Sequence, residues 1–349
     1  MKNNKSFLTK NRGILIFFAV MLLAPFLIGL FEGSTLAMIW GNQGSLSKFL
    51  EGLGIEIFIL ALFALSFDLL FGITGLLSFG HAMFFAVAAY LTGIALKTLT
   101  MPFWGVVLLV FLAAIVQALL FSLVLPRVKG VTFTLVSLGL ASVFHIIVMS
   151  SDMINLTGAD VGLQGVPTPA FISPVNERLR FYVIALILLV ATFLFYRQFV
   201  ASPTGRVCIA IRENEGRAKM LGYNTTTFKV VAMIISSLTA STAGMLHALY
   251  QPIISPSVAD LGFTVTALLI VLIGGVGTLS GAIVGAFVLR LLDFSLRRFI
   301  GESASFITGA IYVIFVLFVP YGIVGTMRMR QLRTKPGWQR LLGMLKSKD

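Results

Sequence analysis

The stretch T-L-T-M-P-F-W-G-V-V-L-L-V-F-L-A-A-I-V-Q-A-L-L-F-S-L-V-L-P, residues 98–126, contains no Asp, Glu, Lys or Arg. A helix needs about 20 mostly apolar residues to cross the hydrocarbon core of a bilayer, and this run exceeds that length. The same four residue types are absent from 13–31, 69–96, 130–151, 181–196, 230–259, 261–289 and 303–327. The 181–196 run is short alone and reaches spanning length once its flanking arginines, Arg180 and Arg197, snorkel. None of these windows alternates polar and apolar as a barrel strand does. Backbone polar groups in lipid have to be satisfied within their own segment, so the runs are helices. A charged fraction of 11% and a mean hydropathy of +1.00 agree, since a soluble domain carries about 25% charge. The fold class is therefore an all-α integral membrane protein, one transmembrane domain over 1–349.

Ten transmembrane helices are expected, near 13–31, 53–74, 82–100, 103–125, 131–149, 180–198, 228–249, 262–275, 281–299 and 306–327. With both termini cytoplasmic, the inner segments hold 19 of the 26 Lys and Arg, so the positive-inside rule fixes the orientation. The net charge of +13 is thereby explained by membrane topology, and nucleic acid is not an expected partner. Arg290, Arg297 and Arg298 fall where the ninth span should leave the membrane on the outside. Residues 262–300 therefore also admit broken or re-entrant helices, and nine to eleven crossings fit the pattern. The N-terminal run lacks a small-residue cleavage site and reads as a retained first span. Three polar segments complete the plan: a Gly/Pro-rich external loop at 150–179, a cytoplasmic loop at 197–229, and a basic cytoplasmic tail at 328–349. The tail reads as an anchor to anionic lipid headgroups. The lone Cys208 allows no disulfide framework and reads as a small, partly buried residue.

The interior of the chain has one densely charged element, S-P-T-G-R-V-C-I-A-I-R-E-N-E-G-R-A-K-M-L-G-Y at 202–223. Ser202-Pro203-Thr204 is a helix start, with Pro tolerated in the first turn. Val207, Ala210, Ile211, Ala218 and Leu221 are expected to form one apolar face, with Arg212, Glu213, Glu215 and Lys219 projecting elsewhere. Asn214 and Gly216 are candidate breaks between two short helices. A solvated connection needs no apolar stripe, so the element reads as a docking surface for a soluble partner rather than a plain loop.

The chain has no G-x-x-x-x-G-K-[ST] and not one Gly-Lys dipeptide, no H-E-x-x-H, and three isolated histidines, His81, His145 and His247. No metal site and no catalytic residues are expected, and any ATP and Mg belong to partner subunits. An ion-driven carrier more usually shows several acids at mid-membrane. Here Asp68 is the one acid deep in an expected span, and both a structural and a pathway role fit it. The same two readings stand for Thr74, Ser78 and His81 in the turn that follows. The pattern G-x-x-G-x-L-S occurs twice, at Gly72-x-x-Gly75-x-Leu77-Ser78 and Gly274-x-x-Gly277-x-Leu279-Ser280. Glycine-interrupted segments paired between transporter halves mark discontinuous helices around a pathway. Close helix packing by small residues explains them equally well. Gly72, Gly75, Gly80, Gly274, Gly275 and Gly277 are the candidate break positions. The Ser/Thr run at 236–242 reads as hydrogen-bonding glue between helices.

The run L-S-F-D-L-L-F-G-I-T-G-L-L-S-F-G-H-A-M-F-F-A-V-A-A-Y (65–90) resembles the LivM-type permease subunit of branched-chain amino acid ABC importers. So do R-V-K-G-V-T-F-T-L-V-S-L (127–138), L-T-G-A-D-V-G-L-Q-G-V-P (156–167), the 202–223 element and G-G-V-G-T-L-S-G-A-I-V-G-A (274–286). At 157–160 this chain has T-G-A-D where many relatives show T-G-G followed by a small or acidic residue. The resemblance implies a translocation subunit in the bacterial cytoplasmic (inner) membrane. It further implies a homologous LivH-type permease, two cytoplasmic ABC ATPases and an extracytoplasmic solute-binding protein as partners. The family's ATPase-contacting loop maps onto 206–222, giving Arg206, Arg212, Glu213, Asn214, Glu215, Arg217 and Gly222 as coupling residues. Permeases for urea and short amides share these signatures, so the solute class stays open between them and branched-chain amino acids. A self-sufficient secondary carrier or channel is the rival from another class. An intramembrane enzyme would need clustered acids or metal ligands at one depth, and the sequence has none.

Overall fold

The computed structural model describes residues 16–29, 45–125, 128 and 130–333. The remaining N-terminal residues, Arg127, Lys129 and most of the basic tail lie outside the described residues.

Every expected span carries a helix. The long elements in chain order are α1 (Ile16–Gly29), α2 (Ser45–Asp68), α3 (Ala82–Lys97), α4 (Phe103–Ser122) and α5 (Val131–Met149). A short α6 (Ile154–Thr157) precedes α7 (Arg178–Ala201), and the charged segment forms α8 (Pro203–Glu213) and α9 (Glu215–Met220). Then come α10 (Thr225–Tyr250), α11 (Leu261–Gly274), α12 (Ser280–Ile300), α13 (Ala304–Phe318) and α14 (Gly322–Arg333). Among the described residues, 6 helices are long and apolar enough to cross a membrane, and α1, α3 and α11 are apolar but shorter. This is a multi-pass membrane protein.

Two features depart from the expected plan, and a third bears on a point it left open. The tenth span is interrupted at 319–321, so the first residues of the basic tail continue as helix in α14. The 150–179 loop is a chain of short helical turns that also pairs Leu163 with Ile254 and Gln164 with Ile253, a two-residue antiparallel strand pair in an otherwise helical fold. Residues 262–300, where the sequence also admits broken helices, are broken once, between Gly274 and Ser280, and the arginines lie on the unbroken helix Ser280–Ile300.

The bundle is organised around α10. Its Ser236 hydroxyl donates to the Ser66 carbonyl of α2 (2.6 Å), Ser237 to Ala114 of α4 (2.8 Å) and Ser241 to Phe84 of α3 (3.2 Å). Thr239 accepts from the Tyr196 hydroxyl of α7 at 2.8 Å. The Ser/Thr run therefore is interhelical glue, as its composition predicts. Close approach needs small residues: a Cβ on Gly244 of α10 would run into the Phe85 carbonyl of α3. Away from this centre, Leu108, Leu112, Leu135 and Val143 on α4 and α5 are exposed, the apolar outer face that lipid-facing helices present.

Gly244→Val is expected to lower the melting temperature of the detergent-solubilised protein by several degrees, since overpacking costs about 1–3 kcal/mol. Gly139, inside α5, has nothing within 4 Å of its Cβ position, and Gly139→Ala should hold or slightly raise the melting temperature, since Ala favours a helix over Gly by about 0.5–1 kcal/mol.

Candidate functional site

The two glycine patterns, far apart in sequence, meet in space. At the end of α2 the chain widens into a π-turn, Leu69–Ile73, closed by the Thr74 N–H donating to the Leu69 carbonyl. Such turns recur at functional sites. The backbone then runs without helix from Gly75 to α3. In the other half, α11 stops at Gly274 and α12 starts at Ser280, with Gly275 at φ +120° and Gly277 at φ +71° between them. Gly72 lies against Gly277: a Cβ on Gly72 would sit 2.5 Å from the Gly277 nitrogen. Only glycine allows that approach.

Asp68 holds the two breaks together. It is fully buried, and its carboxylate accepts the Gly277 N–H (2.7 Å) and the Leu279 N–H (3.2 Å). Leu279 is a non-glycine residue at φ +51°, a conformation that costs about 1–3 kcal/mol and needs its surroundings to impose it. The other half-break is supported from α5. Thr134 donates to the Leu77 carbonyl at 2.9 Å, and the Ser137 hydroxyl accepts from Phe79 at 3.1 Å and Gly80 at 3.4 Å. In this partly buried, non-helical segment the Leu77 carbonyl and the Phe79 and Gly80 N–H groups thus find protein partners, the condition under which such backbone persists at membrane depth.

The charged hairpin docks on this junction. Ser202 caps α8 by accepting the Gly205 N–H at 3.2 Å, and Asn214 caps α9 by accepting the Arg217 N–H at 2.9 Å. The break between the helices falls at Asn214, and Gly216 lies inside α9. Arg212 donates from Nη1 to the Gly72 carbonyl, and its Cα lies 3.2 Å from where a Gly75 Cβ would be. One guanidinium therefore links the hairpin to the helix break. Glu215 anchors the second helix. It accepts from Thr225 (3.0 Å), Lys229 (2.8 Å) and Lys219 (3.0 Å). Burial raises its carboxyl, but the hydrogen bonds from Lys229 and Lys219 and the Lys229 charge outweigh that and bring it down to about 2. Burial pushes the Cys208 thiol up to about 11, so it stays protonated and inert at neutral pH.

The expected apolar face needs correction. Gly205, Cys208, Ile211 and Ala218 are buried against the chain's own body, whereas Ala210 and Leu221 face outward. Met220 and Leu221 are 83% and 71% exposed, beside the exposed side chains of Arg206, Glu213, Arg217 and Lys219. Gly222, at φ +87°, turns the chain away from α9.

The remaining candidates divide. Thr74 turns its hydroxyl back to the Leu69 carbonyl at 2.9 Å, inside the π-turn. His81 is buried among Phe63, Phe67 and Phe84 and shares a 2.8 Å hydrogen bond with Ser66. Its setting is a packing role. Ser78 is buried, and its hydroxyl has no hydrogen-bond partner among the described residues. Gly80 packs on the Ser137 carbonyl, and Gly274 on Gly281. The sequence reading passed over Thr134, Ser137, Thr225 and Lys229, each an ordinary residue inside or beside a span. It also left unassigned the cluster of Glu56, Arg290, Asp293 and Arg297, which the misplaced arginines of α12 signalled.

Glu215→Gln is expected to lower the melting temperature at neutral pH. Because the folded-state carboxyl is depressed, its contribution is complete above the ordinary value of 4.5 and is lost as pH falls through about 2. The gap between wild type and Glu215→Gln should therefore close over that acid range, which melting curves at stepped pH would record.

The profile of the family described as "Branched-chain amino acid transport system / permease component" matches residues 49–319. The chain is 26% identical over 297 residues to the high-affinity branched-chain amino acid transport system permease protein LivM of Salmonella typhimurium, covering 78% of this chain and 69% of that one. It is 27% identical over 257 residues to the probable LivM permease protein of Methanocaldococcus jannaschii, covering 64% and 74% respectively. Identity to the permease protein LivH of Salmonella typhimurium is 23% over 283 residues, covering 76% and 91%. No solved structure matches the chain. With most of its length inside that profile and helices in every expected span, the chain belongs to the family of branched-chain amino acid transport permease components.

Proposed function

We propose that this chain is the translocation subunit of an ABC importer for branched-chain or other small amino acids. It works with a homologous LivH-type permease, two cytoplasmic ATPases and an external solute-binding protein, in the cytoplasmic membrane of a prokaryote. The observation that carries this reading is the hairpin α8–α9, whose outer side exposes charged and apolar groups while Arg212 on its inner side grips the Gly72 carbonyl. A surface with Met220 and Leu221 exposed among Arg206, Glu213 and Arg217 suits a water-soluble partner. On this reading the hairpin and both chain ends face the cytoplasm. The likeness to both LivM and LivH supports a pair of related permeases around one pathway.

The mechanism follows from the connections. ATP and Mg sit on the ATPases, whose closure displaces α8–α9. Arg212 transmits the displacement to the π-turn at the end of α2. Asp68 ties that turn to Gly277 and Leu279, so the break between α11 and α12 moves with it. Rigid helices on either side then tilt together, which is alternating access driven from one face. Glu213, Asn214, Glu215, Arg217 and Gly222 shape and present the hairpin, and Arg206 borders it. The membrane segment itself supplies no chemistry.

The double variant Glu213→Arg/Arg217→Glu reverses exposed charges while leaving every hydrogen bond described above intact. It is expected to cut co-purification of the ATPases and ATP-dependent leucine uptake at least tenfold in proteoliposomes. Arg212→Gln should spare assembly and reduce uptake. Unchanged assembly and uptake in both would refute the docking role, and uphill leucine uptake by this chain alone would make it a self-sufficient carrier. Uptake of urea or an amide in place of leucine would reassign the solute.

A further inference from the structure

The charges on α12 that fit poorly with its place in the membrane form one network with α2. Arg290 donates from Nε to Oε2 of Glu56 at 2.7 Å and from Nη2 to the same oxygen. Its Nη1 donates to Asp293 at 3.0 Å, and Asp293 in turn accepts from Arg297 at 2.9 Å. Gln251, at the end of α10, donates to the other oxygen of Glu56 at 3.4 Å. Signs alternate along the row and the sum is zero.

Glu56 and Arg290 line a cavity of about 190 Å³, with Leu60, Phe85 and Phe263 as apolar wall and Gln251 beside the acid. Arg290 and Leu60 also border a second cavity of about 620 Å³ between α11, α12 and α13. The ion pair thus stands between two spaces. It is not sealed: the Arg290 and Glu56 side chains keep 27% and 24% of their surface. Nor is it saturated. A guanidinium has about five N–H donors and a carboxylate about four acceptor positions. The bonds above use three of each, counting Gln251, so two donors and one acceptor remain.

From this geometry we infer that the Glu56–Arg290 pair is a binding site for a zwitterion, an amino acid whose ammonium approaches Glu56 and whose carboxylate approaches Arg290. Leu60, Phe85 and Phe263 face its apolar side chain. The cavity is smaller than the roughly 300–1,000 Å³ of sites for drug-sized ligands, which matches a small solute. Ionisable groups inside membrane segments are rare, and solute and ion pathways are among the places where they occur. The inference rests on the importer reading above and adds where the solute sits.

The test uses the assembled importer in detergent with Leu60→Cys, whose thiol would line the cavity while the ion pair stays intact. The native Cys208 is buried and its thiol is held protonated, so background reaction with a maleimide is small. Leucine is expected to slow labelling at least fivefold. Isopentylamine and 4-methylpentanoate, each keeping one of leucine's charges, should slow it less than twofold. Adding Glu56→Gln or Arg290→Gln should erase the protection by leucine. Equal labelling with and without leucine would overturn the site, as would protection that survives both second substitutions. A thiol the reagent never reaches would also overturn it, because a solute pathway has to open to water. Leucine uptake by the wild-type importer separates the two claims: uptake without protection leaves the importer reading standing and removes only this site.

Discussion

One buried carboxylate holds the centre of this protein together. Asp68 closes two irregular backbone segments that belong to opposite halves of the chain, by accepting the N–H groups of Gly277 and Leu279. Hydrogen bonds to a charged group contribute about 1.5–3 kcal/mol each, and a buried N–H left without a partner costs a similar amount. Removing the acid would leave both N–H groups orphaned, so the paired breaks depend on these two bonds. Asp68 shares the task of holding Leu279 at positive φ with the Ser280 N–H, which donates to the Thr278 carbonyl across the same turn.

That arrangement decides how force can pass through the molecule. A continuous helix transmits a push along its axis and resists bending. A π-turn and a glycine-rich break bend readily, but only where tertiary contacts replace the lost backbone bonds. Here Thr134, Ser137 and Asp68 supply those contacts, and Arg212 brings the hairpin's guanidinium to the Gly72 carbonyl at the same point. Glu215, three residues beyond Arg212 across the Asn214 break, binds Thr225 and Lys229 at the start of α10, the helix whose serines bind three neighbours. The hairpin is thereby tied to the bundle on both sides of its own break, at the π-turn and at the start of α10.

The sequence carried the fold in its spacing of charges. Uncharged windows located most of the long helices, because exclusion of ionisable groups from lipid acts on each residue separately and needs no tertiary information; α2, with Lys48, Glu51 and Glu56, and the charged second half of α12 lie outside them. The hairpin was legible for the same reason, together with the cap at Ser202 and the break at Asn214. Asp68 was visible as an isolated acid and the glycine patterns as an echo, but their meeting was not, since nothing in either segment encodes a partner two hundred residues away. The outward position of Ala210 and Leu221 was likewise hidden. Helical periodicity groups residues onto a face, and tertiary packing chooses which part of that face the chain covers itself. The strand pair of Leu163–Gln164 with Ile253–Ile254 is two residues long, too short for alternation to register.

The arginines of α12 show where a local rule fails for a physical reason. The positive-inside pattern counts charges as if each met lipid or water alone. Glu56, Arg290, Asp293 and Arg297 instead meet each other across two helices, and a neutral row of alternating signs lowers the cost of placing any one of them at depth. Such a row is a poor way to gain stability, because well-packed apolar side chains of the same volume serve as well or better. Its value lies in leaving unsatisfied valence beside a cavity. A solute carrying one positive and one negative group can enter that row without changing its net charge, whereas an ion of single sign would leave one partner exposed.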